Sequence, residues 1–177
     1  MVARIDGLKK SPVIKELKDL YSRGIKVITP EEITGALKGK PALLQQLNSM
    51  FKVAKNEISI LTTSEGLNEL YLHSLDELRK AKDRGVGIKI AATIDTKCAD
   101  AIKALSGIAE IRELNKKEIP VKGRFFIVDG KELVFSLTDS KVHATQEVAV
   151  WSKSEFAATN VLAPLFKLVW EHSKPVK

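Results

Sequence analysis

Residues 121–139 read Val-Lys-Gly-Arg-Phe-Phe-Ile-Val-Asp-Gly-Lys-Glu-Leu-Val-Phe-Ser-Leu-Thr-Asp, and this stretch decides the fold. It predicts a β-hairpin. Residues 123–128 form one arm, Asp129-Gly130 the two-residue turn and residues 132–138 the return arm.

Working outward, the segment before the hairpin alternates strands and helices. Residues 57–62 predict a strand, and Ile58, Ile60 and Leu61 are too dense for a solvent-facing edge, so it is expected to be central. The turn Thr63-Ser64-Glu65-Gly66 leads into a long helix over about 67–84, stopped by Gly85. A buried strand over 86–93, a helix over 96–105, a strand over 108–113 and a polar loop over 114–121 follow. After the hairpin come a strand over 147–151 and a helix capped by Ser154 and running to about His172, with Pro164 expected to kink or interrupt it. The order β-α-β-α-β, then β-β-β, then α predicts an α/β fold: a mixed, mostly parallel sheet flanked by helices, with right-handed crossovers.

The front of the chain reads differently. Ser11-Pro12 opens a helix in which Val13, Ile14, Leu17, Leu20 and Tyr21 recur at helical spacing. Gly24 ends it and residues 25–28 predict a short strand. Thr29-Pro30-Glu31-Glu32 is a capping box that predicts a short helix stopping at Gly39. Pro41 starts another helix, with Leu43, Leu44, Leu47, Met50, Phe51 and Ala54 on one face. Residues 1–40 are therefore expected to be a small helical appendage or linker, and 41–177 the main domain. The helix, Arg-Gly stop and strand at 16–27 echo those at 77–90, a pattern that any helix-to-strand unit produces.

Composition narrows the class. The 177 residues suit one domain, and 44% hydrophobic with 29% charged residues allow a real core in a soluble chain. No apolar run approaches the roughly 18 residues that span a bilayer, so no membrane partner is expected. The first ten residues lack a signal-peptide core, and the single cysteine, Cys98, excludes an internal disulfide and fits a reducing cytoplasm. Net charge is +7, but the lysine runs have no interleaved aromatics and read as solvated faces. No Gly-x-Gly-x-x-Gly or P-loop follows a strand, and no cofactor is implied.

The candidate binding residues cluster by topology. Thr62, Thr63 and Ser64 close the first strand just before a helix N-terminus, where open α/β sheets place ligands and backbone N–H groups favour anions. Lys122 and Arg124 form a cationic pair beside the hairpin, expected to stay near Asp129 and able to hold an anionic or polyhydroxylated ligand. Ser136, Thr138 and Asp139 would add hydroxyl and carboxylate contacts. His73, His143 and His172 match no metal or catalytic spacing; His143 lies nearest the hairpin's open end, although a solvated loop histidine is its plainer reading. Trp151 and Trp170 read as core or interface. Trp170 shares a face with Leu162, Phe166 and Val169 that would close the core or pair with a second copy.

The hairpin also has the frame of the phospholipase D motif, H-x-K-x4-D-x6-G-S-x-N. With the motif's Asp on Asp129, its nucleophilic His falls at Lys122 and its phosphate-holding Lys at Arg124. Its Gly, Ser and Asn fall at Ser136, Leu137 and Asp139. A lysine at 122 is cationic at neutral pH and a poor nucleophile unless strongly desolvated. The chain thus resembles one half of a phospholipase D fold without its catalyst. Within that superfamily it is similar to the C-terminal domain of archaeal TrmB-type transcriptional regulators. The similarity lies at residues 43–67, at 81–89 and at 123–134, and spans roughly 41–172. The resemblance implies a non-catalytic, ligand-sensing domain that binds a sugar or small anion and forms a homodimer. DNA would be reached only through a winged-helix domain, for which the front of this chain is too short. The alternatives are a phosphodiesterase or nuclease with an altered site, and a basic nucleic-acid or protein interaction module.

Overall fold

The structure is a computed structural model that describes residues 12–22 and 33–176. The chain divides into two compact units, Met1–Ile33 and Thr34–Lys177. In the first, α1 (Pro12–Ser22) is the described element, and its Val13 and Leu17 are exposed. The strand expected at 25–28 and the capping box at 29–32 lie outside the described residues.

The second unit runs β1 (Thr34–Lys38), α2 (Lys40–Val53), β2 (Glu57–Thr62), α3 (Ser64–His73), α4 (Leu75–Asp83) and β3 (Gly87–Ala92). A 3-10 turn, Thr96–Cys98, enters α5 (Ala99–Leu105) and is followed by β4 (Glu110–Glu113), β5 (Phe125–Val128), β6 (Glu132–Ser136) and β7 (Val148–Ser152). The chain closes with α6 (Glu155–Ala157), a π-helical turn (Ala158–Leu162), α7 (Ala163–Glu171) and β8 (Lys174–Pro175). The eight strands among the described residues join one sheet in the order β1-β7-β6-β5-β2-β3-β4-β8.

Strand alternation sorts the core into two layers. Ile58, Ile60, Ile88, Ile90, Phe126, Val128 and Val134 point to one face, packed by Leu43, Leu47, Phe51, Leu67 and Leu78 from α2, α3 and α4. Leu61, Ala91, Phe125, Ile127 and Leu133 point to the other, packed by Leu162, Phe166, Val169 and Trp170. The Trp170 face therefore closes the core. β2 is central, as the density of its apolar residues predicts, and β5 is buried along its whole length.

Three expectations change, and the interruption expected near Pro164 takes a definite form. The sheet is mixed but mostly antiparallel: β2–β3 and β3–β4 are parallel, and the other five pairings are antiparallel. After β4 the chain crosses to the far side of β2 with no helix or strand between, so β5 starts from the carboxyl end of β2 and runs antiparallel to it, and the hairpin continues that alternation. Residues 34–38, expected in a helix, form β1, because pairing with β7 overrides a weak local preference. The long helix over 67–84 is two helices jointed at buried Ser74, whose φ of -126° leaves the helical region. The last helix is interrupted before Pro164 by a π-helical turn. Proline offers no N–H for the helical ladder, and the wider turn absorbs the gap. Among the described residues no helix is long and apolar enough to cross a membrane.

Candidate ligand-binding cleft

A cleft of about 390 Å³ opens at the carboxyl ends of β2 and β3. Its floor begins at Thr63, the N-cap of α3, whose Oγ1 accepts from Gly66 N at 3.1 Å. Ser64 and Glu65 follow in the first helical turn, so the positive end of the α3 dipole borders the cleft. Gly66 is required here: a Cβ would collide with Thr62 Oγ1. The loop before β5 supplies Lys116, Ile119, Pro120, Val121 and Lys122, and the loop after β6 supplies Asp139, Ser140 and Lys141.

The charges in the cleft divide by engagement. Asp95 Oδ2 accepts from Ser64 Oγ at 2.8 Å and its Oδ1 from Lys97 N at 2.8 Å. The Ser64 hydroxyl and these backbone donors hold the Asp95 carboxyl below its ordinary value. Asp139 Oδ1 accepts from Lys141 N at 2.9 Å. Lys116, Lys122 and Lys141 make no ion pair with any described residue. The Asp95 and Asp139 carboxylates are thus occupied within the protein and Thr63 Oγ1 donates to Ser140 Oγ at 3.4 Å, while three ammonium groups line the cleft without an ion pair among the described residues. No group of three or more His, Cys, Asp or Glu side chains among the described residues is arranged to hold a metal ion.

Arg124 is not in the cleft. It is 2% exposed and lies beneath it, with Nη2 2.6 Å from Glu147 Oε1 and Nη1 3.8 Å from Glu69 Oε2. Glu69 also pairs with Lys40 at 2.6 Å. Arg124 Nη2 donates to buried Ser136 Oγ at 3.0 Å and to Thr138 O at 3.4 Å, and Ser136 Oγ donates to the same carbonyl at 3.1 Å. Arg124 and Ser136 therefore anchor the loop that carries Asp139, Ser140 and Lys141, and the arginine's charge is neutralised from within.

Of the eight candidate residues, Thr63, Ser64, Lys122 and Asp139 meet in the cleft. Thr62 is buried below it. His143 does not line it; the histidine is exposed and caps a short turn, accepting from Thr145 N at 3.3 Å. Asp129 is separated from Lys122 by the length of β5. It sits at the amino end of β2, where its carboxylate accepts from the N–H groups of Lys55, Asn56 and Glu57 at 2.7–3.0 Å. Asp95, Ser140, Lys141 and Lys116 were not foreseen. The rule that selected residues 62–64 at the end of β2 points equally to Asp95 beyond the end of β3. Glu147, the acidic residue beside the apolar run Val-Ala-Val-Trp, could have been read as a buried partner for an arginine.

The family model "Transcriptional regulator TrmB, EBD N-terminal subdomain" matches residues 36–177. No curated protein matches the chain by sequence. Among solved structures, TrmBL2, described as an archaeal chromatin protein with a novel mode of DNA binding, aligns with a TM-score of 0.64 at 24% identity. The match covers 98% of this chain and 64% of that one, so the chain spans under two thirds of that relative. The phospholipase D family member Nuc from Salmonella typhimurium aligns at 0.64 and 19% identity, covering 81% of this chain and 97% of its own. NucT from Helicobacter pylori aligns at 0.66 and 13% identity, covering 81% and 98%. These likenesses show the phospholipase D-like fold.

Proposed function

As the chain belongs to the TrmB family of transcriptional regulators, we propose that this domain is the regulator's ligand-sensing and dimerising part, and that it performs no catalysis. The observation that carries the reading is the pair of replacements on the hairpin. Lys122 stands in the cleft wall at the place of the motif's nucleophilic histidine. Arg124, at the place of its phosphate-holding lysine, is buried and paired with Glu147. No histidine or cysteine lines the cleft. An ammonium group in water is a poor nucleophile but a good anchor for a negative charge.

The ligand class follows from what remains available. Three ammonium groups with no ion pair among the described residues and an α3 amino end favour an anion, and the serine and threonine hydroxyls suit a polyol. A phosphorylated or carboxylated sugar combines both. The domain would work in the cytoplasm as a homodimer, without metal or cofactor. Its effect on DNA would be indirect, through a winged-helix segment; the DNA binding described for TrmBL2 is that protein's own.

The catalytic alternative is tested by incubating the chain with bis-p-nitrophenyl phosphate. The expected result is no release of p-nitrophenol above the blank at high protein concentration. Turnover that disappears in Lys122→Ala or His143→Ala would overturn the non-catalytic reading in favour of a phosphodiesterase.

A further inference from the structure

The two edges of the sheet are built differently. β8 has two residues and ends in Pro175, which lacks an N–H and blocks further pairing. β1 has five residues, Thr-Gly-Ala-Leu-Lys, and no proline. Its register with β7 shows which backbone groups it leaves unused. Gly39 N donates to Glu147 O at 2.6 Å, and the pairs Leu37↔Ala149 and Gly35↔Trp151 stand in phase with it. In an antiparallel ladder hydrogen-bonded and non-hydrogen-bonded pairs alternate. Gly35 and Leu37 therefore spend their N–H and C=O groups on β7. Thr34, Ala36 and Lys38, all exposed, turn theirs outward.

We propose that β1 pairs antiparallel with β1 of a second copy of this chain, about a two-fold axis at Ala36. The inference rests on the dimerising reading above and names its surface. Ala36 is the middle residue of β1, so a two-fold there sets Ala36 opposite Ala36 and Thr34 opposite Lys38. Every outward N–H then meets an outward C=O. The side chains agree with the backbone. The chain carries +7, so two copies repel unless they meet where lysines are apart. At this axis the facing residues are alanines, and each Lys38 lies against Thr34 rather than against the other lysine. The cross-strand row running inward, Ala36–Val150–Phe135, carries no charge. The joined sheet has sixteen strands, twice the eight of the described residues of one chain, and each remaining edge is a guarded β8.

The test is sedimentation equilibrium of the whole chain beside Ala36→Pro. The proline removes only an outward N–H, so the pairing of β1 with β7 is spared and the circular dichroism should be unchanged. The proposal expects a wild-type dimer and a dissociation constant at least about tenfold higher in Ala36→Pro, since two backbone hydrogen bonds are lost at the axis. A dimer equally tight in Ala36→Pro would overturn this surface and leave the dimerising reading standing. A wild-type chain monomeric at every concentration would overturn both. If Ala36→Pro loses its fold, Ala36→Lys and Ala36→Asp replace it. Each should be monomeric alone and a mixture should form a heterodimer; dimers of Ala36→Lys alone would overturn the proposal.

Discussion

Asp129 does two jobs at one position. Its φ of 56° makes the left-handed corner of the hairpin, which aspartate tolerates. Its carboxylate gathers three backbone N–H groups from residues 55–57 and so pins the turn to the start of β2. Partial burial works to raise its pKa; the donors from Asn56, Lys55 and Glu57 outweigh it and hold the carboxyl below the ordinary 3.8. A depressed carboxylate stabilises the fold above its unfolded value, and that contribution is lost as pH falls through the folded value. Asp129→Ala should cost about 2 kcal/mol in urea unfolding at pH 7. Asp129→Asn should lessen the loss of stability below about pH 4, where wild type and variant converge. The turn was legible from Asp-Gly alone. The cap was not, because it joins residues more than seventy apart in the chain. Arg124 gave a similar lesson. Its motif position suggested a ligand contact, while burial and Glu147 make it an interior anchor. Arg124→Met should destabilise by roughly 3–5 kcal/mol, leaving Glu147 buried without its partner, and adding Glu147→Gln should recover part of that loss.

At the scale of elements, local chemistry predicted existence better than extent. The hairpin, β2, β3 and α5 stand where periodicity and turn residues put them. The continuous helix over 67–84 failed because Ser74 breaks it, and serine is too ordinary a helix residue to announce a joint. β1 was missed because an edge strand is chosen by its neighbour β7, which lies over a hundred residues away. Pro164 was correctly marked as an interruption, and its form, a π-helical turn, depends on packing. The α3 amino end makes the sharpest prediction here. Gly66→Ala would drive a methyl against the side chain of buried Thr62. A loss of about 1–3 kcal/mol is expected in thermal or urea unfolding. Thr63→Ala, which removes the cap and a long hydrogen bond to Ser140, should cost about 1 kcal/mol.

Across the whole molecule, half of the sheet follows from the β-α-β-α-β order, and half from where the chain goes after β4. The crossover to the far side of β2 turns an expected parallel sheet into a mostly antiparallel one, and no local signal in the loop over 114–124 announces it. That crossover also builds the cleft, since it brings Lys116 and Lys122 against the carboxyl ends of β2 and β3. In the proposed role, this site holds an anionic polyol without turning it over. Calorimetric titration with glucose 6-phosphate, beside glucose, tests it most directly. Saturable binding of the phosphorylated sugar is expected, weakened at least about tenfold by Lys122→Glu, which loses one ammonium contact and gains a repulsive charge. No saturable binding up to about 10 mM, where an interaction worth under about 3 kcal/mol would go unseen, or an affinity unchanged in Lys122→Glu, would contradict it.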